Sequence, residues 1–208
     1  MEEYKKEIKP AEAKKQEKPA DPTPLGNIAT GIVLLTLWPV LFGLTDSTGM
    51  VAVLPWALAA APFIILTTVL AFRAGNVVGA VANGILSGLT LVQNAFWGLA
   101  ALAYTAAGVS VPEAVSSVKG YMDGTAFLAA AFMLVCIAFI FYREHKYSMA
   151  VSMLVICVGF CCMGLSDVGA ASLRVPAGVC IVCFAAWMVY SGCAMLIHTA
   201  LGKKILPY

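Results

Sequence analysis

The sequence predicts an all-α integral membrane protein of six spanning helices with both termini in the cytoplasm. Three observations carry that prediction. Of 208 residues, 61% are hydrophobic and 12% charged, with a mean hydropathy of +0.89; soluble domains carry about 25% charge. The apolar residues fall into six runs separated by short segments rich in Pro, Gly or charge. Basic residues sort to one side of those runs. Eleven of the 13 Lys and Arg lie in the N-terminal tail, the turns at Arg73 and Arg143–Lys146, and the C-terminal end, leaving Lys119 and Arg174 for the opposite face. The positive-inside rule then puts both ends in the cytoplasm, which requires an even number of spans.

Residues 1–20 hold six Lys and five Glu with little apolar content, and read as a solvated, disordered cytoplasmic tail. No cleavable signal is expected, because the first apolar run starts only near Leu25. Residues 21–208 form the transmembrane domain. Asp21 or Thr23 is placed to cap a first helix beside Pro24, running from about Leu25 to Leu44 with a kink at Pro39. Asp46 to Gly49 make an outer turn. The second helix spans about Val51 to Phe72, bent by Pro55 and Pro62, and Arg73-Ala74-Gly75 turns inside. The third runs from Asn76 to Ala106. Residues 107–120 are the longest loop, with a short helix after Pro112. The fourth helix covers about Tyr121 to Tyr142 and the fifth Tyr147 to Leu165. An outer turn, Ser166–Val175, leads to the sixth helix, which starts at Pro176 and ends near Ala200.

The third helix has the most unusual composition. From Gly75 to Trp97 it carries no charge, yet Asn76, Asn83, Ser87, Thr90 and Asn94 recur at steps of seven, four, three and four. Those steps keep side chains on one helix face. An unpaired amide in hydrocarbon costs several kcal/mol, so the stripe must face protein or water. Pore lining is the favoured reading, and helix–helix packing is the rival. The Gly75/Gly79 and Gly84/Gly88 pairs point to close packing on the same segment. Thr30, Thr36, Thr67, Thr68, Ser152 and Ser191 are scattered hydroxyls of the kind that bond back to their own helix. The four Trp, with Tyr104, Tyr121, Tyr142 and Tyr147, read as core or interfacial anchors.

No Asp, Glu, Lys or Arg falls in the middle of a span. A path built from neutral dipoles suits water, small neutral solutes, or small anions held by weak donors. Seven Cys all lie in apolar runs and read as small buried hydrophobes; no charged or His partner suggests a metal site. His145 and His198 read as solvated interfacial groups. No phosphate loop, nucleophile constellation or nucleic-acid patch appears, and no loop is long enough to build an active site. No enzyme activity and no cofactor are expected.

Three anchors carry a family resemblance. The first is Asp21-Pro22-Thr23-Pro24-Leu25-Gly26. The second is Arg73-Ala74-Gly75-Asn76-Val77-Val78-Gly79. The third runs from Ala177-Gly178 through Tyr190 to Gly202-Lys203-Lys204-Ile205-Leu206-Pro207. Together they resemble the acetate uptake transporter family (the succinate–acetate permeases) over residues 21–208. Asp replaces Asn and Thr replaces Ala in that family's Asn-Pro-Ala-Pro-Leu-Gly signature. The resemblance implies a ring-shaped homo-hexamer in the inner or plasma membrane, with one pore per protomer passing acetate and similar small carboxylates. It also implies a pore pinched by aromatic and aliphatic side chains. Here the family's pore Phe falls on Thr30, its pore Tyr on Leu86, and a Glu found in some members on Met195. A second register, matching Phe96-Trp97 to a family Phe-Trp, needs about two extra helical turns.

The expected function is transport of small monocarboxylates. Thr30, Asn83, Ser87, Thr90 and Asn94 would line the path, with Leu86 as a hydrophobic gate. A pore for urea, short amides or water is the alternative. A non-transporting scaffold that binds a partner through its charged tail is a third reading. The expected partners are the lipid bilayer, the substrate and further copies of the chain, with no nucleic acid.

Overall fold

The computed structural model describes residues 21–45, 49–203 and 205–207, without the side chains of Ser87, Leu89 and Thr90. The expected 1–20 tail and the turn residues Asp46, Ser47 and Thr48 lie outside the described residues. The described chain is all-helical, in the order α1 (Thr23–Thr36), α2 (Trp38–Leu41), α3 (Gly49–Arg73), α4 (Val77–Ser87), a π turn (Gly88–Val92), α5 (Gln93–Ala106), α6 (Glu113–Arg143), α7 (Tyr147–Asp167), a 3₁₀ turn (Ala171–Leu173) and α8 (Arg174–Leu201). Among the described residues, four helical segments are long and apolar enough to cross a membrane: α3, α6, α7 and Ala171–Leu201. The apolar stretches Thr23–Thr36 and Val77–Leu86 are shorter.

The two shortened spans have identifiable breaks. The Asp21 carboxylate accepts the Thr23 backbone N–H at 3.0 Å and its hydroxyl at 2.6 Å, so Asp21, not Thr23, holds the start of α1. The helix stops at Thr36, and the Leu37 N–H reaches back only to Leu34 O, a tight turn at 3.2 Å. Pro39 lacks an N–H and its ring crowds the carbonyl four residues earlier; the predicted kink is therefore a break. In the third rod, the side chain of Asn76 accepts the Gly79 N–H at 2.9 Å. Asn76 is the N-cap of α4. Gly88 and Val92 keep right-handed helical dihedrals, so α4, the π turn and α5 form one unbroken rod.

Two further expectations are corrected. The loop expected at 107–120 covers only 107–112, because the helix expected after Pro112 is the start of α6 itself. The paired glycines of the third helix do not make the close approach. A Cβ on Gly75 or Gly88 meets nothing within 4 Å, and on Gly79 it meets only the Asn76 cap; Gly84 alone abuts a neighbour, Thr68. The tight contacts lie elsewhere. A Cβ on Gly124 would sit 2.8 Å from Gly164 O, and one on Gly164 2.7 Å from Gly124 O. On the other side, Gly31 and Gly192 bring α1 and α8 equally close. Small residues at these points let backbones approach where lipid offers no hydrophobic drive for association.

The helices form a ring in which α1 packs on α3 and α8, α8 on α7, α7 on α6, and α3 on the α4–α5 rod. The ring closes through a sparse seam between α4 and α6. Its centre is an apolar cluster that includes Leu34, Leu86, Leu134, Ile156, Phe160 and Phe184. The outside is a belt of large apolar side chains, with Phe132 74% exposed and Phe139 63% exposed, as a bilayer-facing surface requires. Trp38, Trp56, Tyr121, Tyr142 and Tyr147 are exposed towards the ends of the helices. Trp97 and Trp187 turn inward instead.

The Gly124–Gly164 contact predicts that Gly124→Val separates α6 from α7. Overpacking of this kind costs about 1–3 kcal/mol. Thermal unfolding in detergent, followed by tryptophan fluorescence, should show a clear loss for Gly124→Val and little change for Gly88→Ala. Equal melting of Gly124→Val and the parent protein contradicts the packing described.

Candidate functional site

Two cavities open at opposite ends of the ring. The inner one has a volume of about 490 Å³ and sits among the Arg73–Asn76 turn, the Glu144–Lys146 turn, the start of α1 and the end of α8. Its walls include Asn27, Asn83, Leu86, Trp187, Met195 and His198, with Asp21, Glu144 and Lys146 at the mouth. Glu144 and Lys146 form an ion pair at 2.8 Å. The outer cavity, about 370 Å³, is walled by Leu34, Leu37, Asn94, Trp97, Phe127 and Phe160, and carries Lys119, Asp123, Asp167 and Arg174.

An apolar floor separates them. Leu86 lines the inner cavity, Leu34 and Phe160 line the outer one, and all three belong to one cluster in which each is at most 2% exposed. Phe127 packs edge-on against Phe160 with ring centroids 5.1 Å apart. On the inner side Phe184 stacks on Trp187 at 6.4 Å. A floor of this kind excludes water and ions unless side chains move.

The polar groups near the floor are mostly satisfied. Asn27 donates to Ser191 Oγ at 3.3 Å, tying α1 to α8, and Ser191 in turn donates to Met188 O. Thr36, Thr67, Thr68 and Ser152 each bond back to a carbonyl of their own helix. Thr30 is the exception. It is 1% exposed, and its hydroxyl has no hydrogen-bond partner among the described residues. It lies one turn beyond Asn27, which lines the inner cavity, and one turn before Leu34, which lines the outer.

The expected path residues are thus divided. Asn83 and Leu86 line the inner cavity, Asn94 the outer, and Thr30 lies at the level between them, lining neither. The side chains of Ser87 and Thr90 lie outside the described residues. Because a π turn intervenes, Asn83 and Asn94 are not joined by regular α spacing. Several wall residues were not foreseen from the sequence. Phe127, Phe160 and Trp187 supply aromatic surface, and the wall residue Asp123 is held at 3.0 Å by Gln93, which itself lines neither cavity. No group of three or more His, Cys, Asp or Glu among the described residues is arranged to hold a metal ion. Cys157 donates to Ala131 O at 3.3 Å, a helix–helix contact between α7 and α6.

The fold is similar to that of the bacterial acetate channel SatP. The two structures superpose with a TM-score of 0.66 over 90% of this chain and 98% of that one, at 18% sequence identity. No protein-family model and no curated sequence matches the chain. The likeness to SatP is therefore one of architecture: the described helices follow the same helical fold. Which residues face the centre in this chain follows from its own geometry.

The lone Thr30 hydroxyl yields a stability test. A buried hydroxyl without a partner costs about 1–3 kcal/mol. Thr30→Val, which keeps the shape, should unfold at a temperature equal to or above that of the parent protein. A marked loss of stability would reveal a bond to this hydroxyl.

Proposed function

We propose that this chain forms a pore for small monocarboxylates such as acetate in the cell membrane. The observation that carries the reading is the pair of cavities at opposite ends of the ring, parted by buried apolar side chains. A path of this form admits solute from either side and opens by small movements of Leu34, Leu86 and Phe160. Thr23–Leu41 rises about 28 Å and the rod from Val77 to Ala106 about 45 Å at the helical rise, against a hydrocarbon core of about 30 Å. These lengths support six spans, with the broken first and third counted alongside α3, α6, α7 and α8. The exposed apolar belt accommodates lipid and neighbouring copies alike, and a hexameric ring fits the family resemblance.

Along the path, Asn83 and Asn94 supply amide donors, one in each cavity, and the Thr30 hydroxyl sits between them. Dehydrating a carboxylate at the floor is costly, so passage is eased for the protonated, neutral acid. The amides also support the second reading, a pore for urea or short amides, since neutral dipoles hold such solutes without charge.

Reconstituted into liposomes, the protein should carry labelled acetate well above the flux of empty vesicles. Flux no greater than that background overturns the acetate reading, and rapid urea-driven swelling in its place establishes the second. Asn83→Leu should lower flux several-fold with assembly unchanged. Leu86→Ala should raise flux and weaken selectivity, because it thins the floor. Equal flux in both variants would remove the inner cavity from the path.

A further inference from the structure

Lys119 and Arg174 are set apart in the sequence as the two basic residues of the outer face, and both line the outer cavity. The geometry points to the outer cavity as a capture site for an ionised carboxylate, with Arg174 as its fixed cation and Lys119 as a cation released by exchange. This inference rests on the carboxylate reading above and names the site where that substrate would be held.

The hydrogen bonds support an exchange rather than a simple positive patch. The two cations share the cavity with Asp123 and Asp167, so the four formal charges cancel and give no long-range attraction. Lys119 pairs with Asp123 Oδ2 and lies over the Trp97 ring, 4.9 Å from its centroid. Asp123 Oδ1 is separately held by the Gln93 amide at 3.0 Å. Asp123 therefore keeps one donor when Lys119 turns to an incoming carboxylate. Arg174 donates through Nη2 to Val40 O at 3.1 Å. That acceptor is neutral, so the bond positions the guanidinium, whose charge is offset through space by the partly buried Asp167 rather than by a direct ion pair among the described residues. A planar guanidinium and an exchangeable ammonium lining one cavity suit the two oxygens of a carboxylate. A neutral amide offers no anionic oxygen and gains little from either cation. The site is thus a filter that favours carboxylates over urea before the apolar floor is reached.

The test follows binding and transport separately. Binding is read from the fluorescence of a protein retaining Trp97 as its sole tryptophan (Trp38→Phe, Trp56→Phe and Trp187→Phe), in detergent, on titration with sodium acetate, sodium chloride or urea at constant ionic strength. Acetate should give a saturable change as Lys119 leaves the Trp97 ring, and urea none. Arg174→Gln and Lys119→Gln should each move the acetate curve to about tenfold higher concentration or abolish it. Arg174→Lys should restore part of the effect. In liposomes, the half-saturating acetate concentration should rise in parallel, while urea-driven swelling is indifferent to these changes. An acetate titration that both Gln variants leave unchanged overturns the site, whatever the flux. A saturable, Arg174-dependent acetate signal without any acetate flux supports the site and instead overturns the transport reading.

Discussion

A bilayer interior offers no water to a polar group, and this constraint decides where nearly every polar side chain of the protein ends up. The backbone is satisfied by remaining helical, even through the π turn. The hydroxyls of Thr36, Thr67, Thr68 and Ser152 return to their own helices. Asn27 and Ser191 satisfy one another across α1 and α8. Among the described residues, charges lie at the two mouths and in the turns and helix ends. Against that background the Thr30 hydroxyl, without a partner among the described residues, stands out, because it lies one turn from Asn27 of the inner cavity and one turn from Leu34 of the outer.

Close backbone approach and central closure are linked. Glycines at the α6–α7 and α1–α8 contacts draw these helices together, and the ring becomes narrow enough for Leu34, Leu86, Phe160 and Phe184 to meet at its centre. Wider spacing would leave those side chains without contact and the two cavities merged. The floor is a product of the packing at the rim as much as of the residues that form it.

The parts of this structure that depend on near neighbours in the chain were legible in the sequence. The Asp21 cap, the interruption at Pro39, the tight turns at Arg73 and Arg143–Lys146, and the back-bonded hydroxyls all follow from local chemistry. The inward faces of α6, α7 and α8 were not legible. These helices are apolar on all sides, since lipid and core demand the same side chains, and periodicity cannot select Phe127, Phe160 or Trp187 as wall residues. Asn76 shared the stripe's spacing but serves as a cap, a role that spacing alone does not distinguish. Lys119 and Arg174 were informative as markers of orientation. Their common cavity depends on contacts among α6, α8, the end of α1 and the α4–α5 rod, which lie far apart in sequence.

The π turn at Gly88–Val92 sets the phase between the two halves of the third rod. It accommodates one residue more than a regular helix would over the same turn. Loss of one residue there would therefore let the rod close to an uninterrupted α-helix with its two halves in nearly the same phase, leaving Asn94 and Trp97 at the outer cavity and Asn83 and Leu86 at the inner one. A residue gained elsewhere in the rod and taken up in regular α geometry would instead rotate everything beyond it by about 100°. Asn94 and Trp97 would then leave the outer cavity together. The π turn is thus the one stretch of this rod described as holding a spare residue, and its length can change by one without re-aiming the outer mouth.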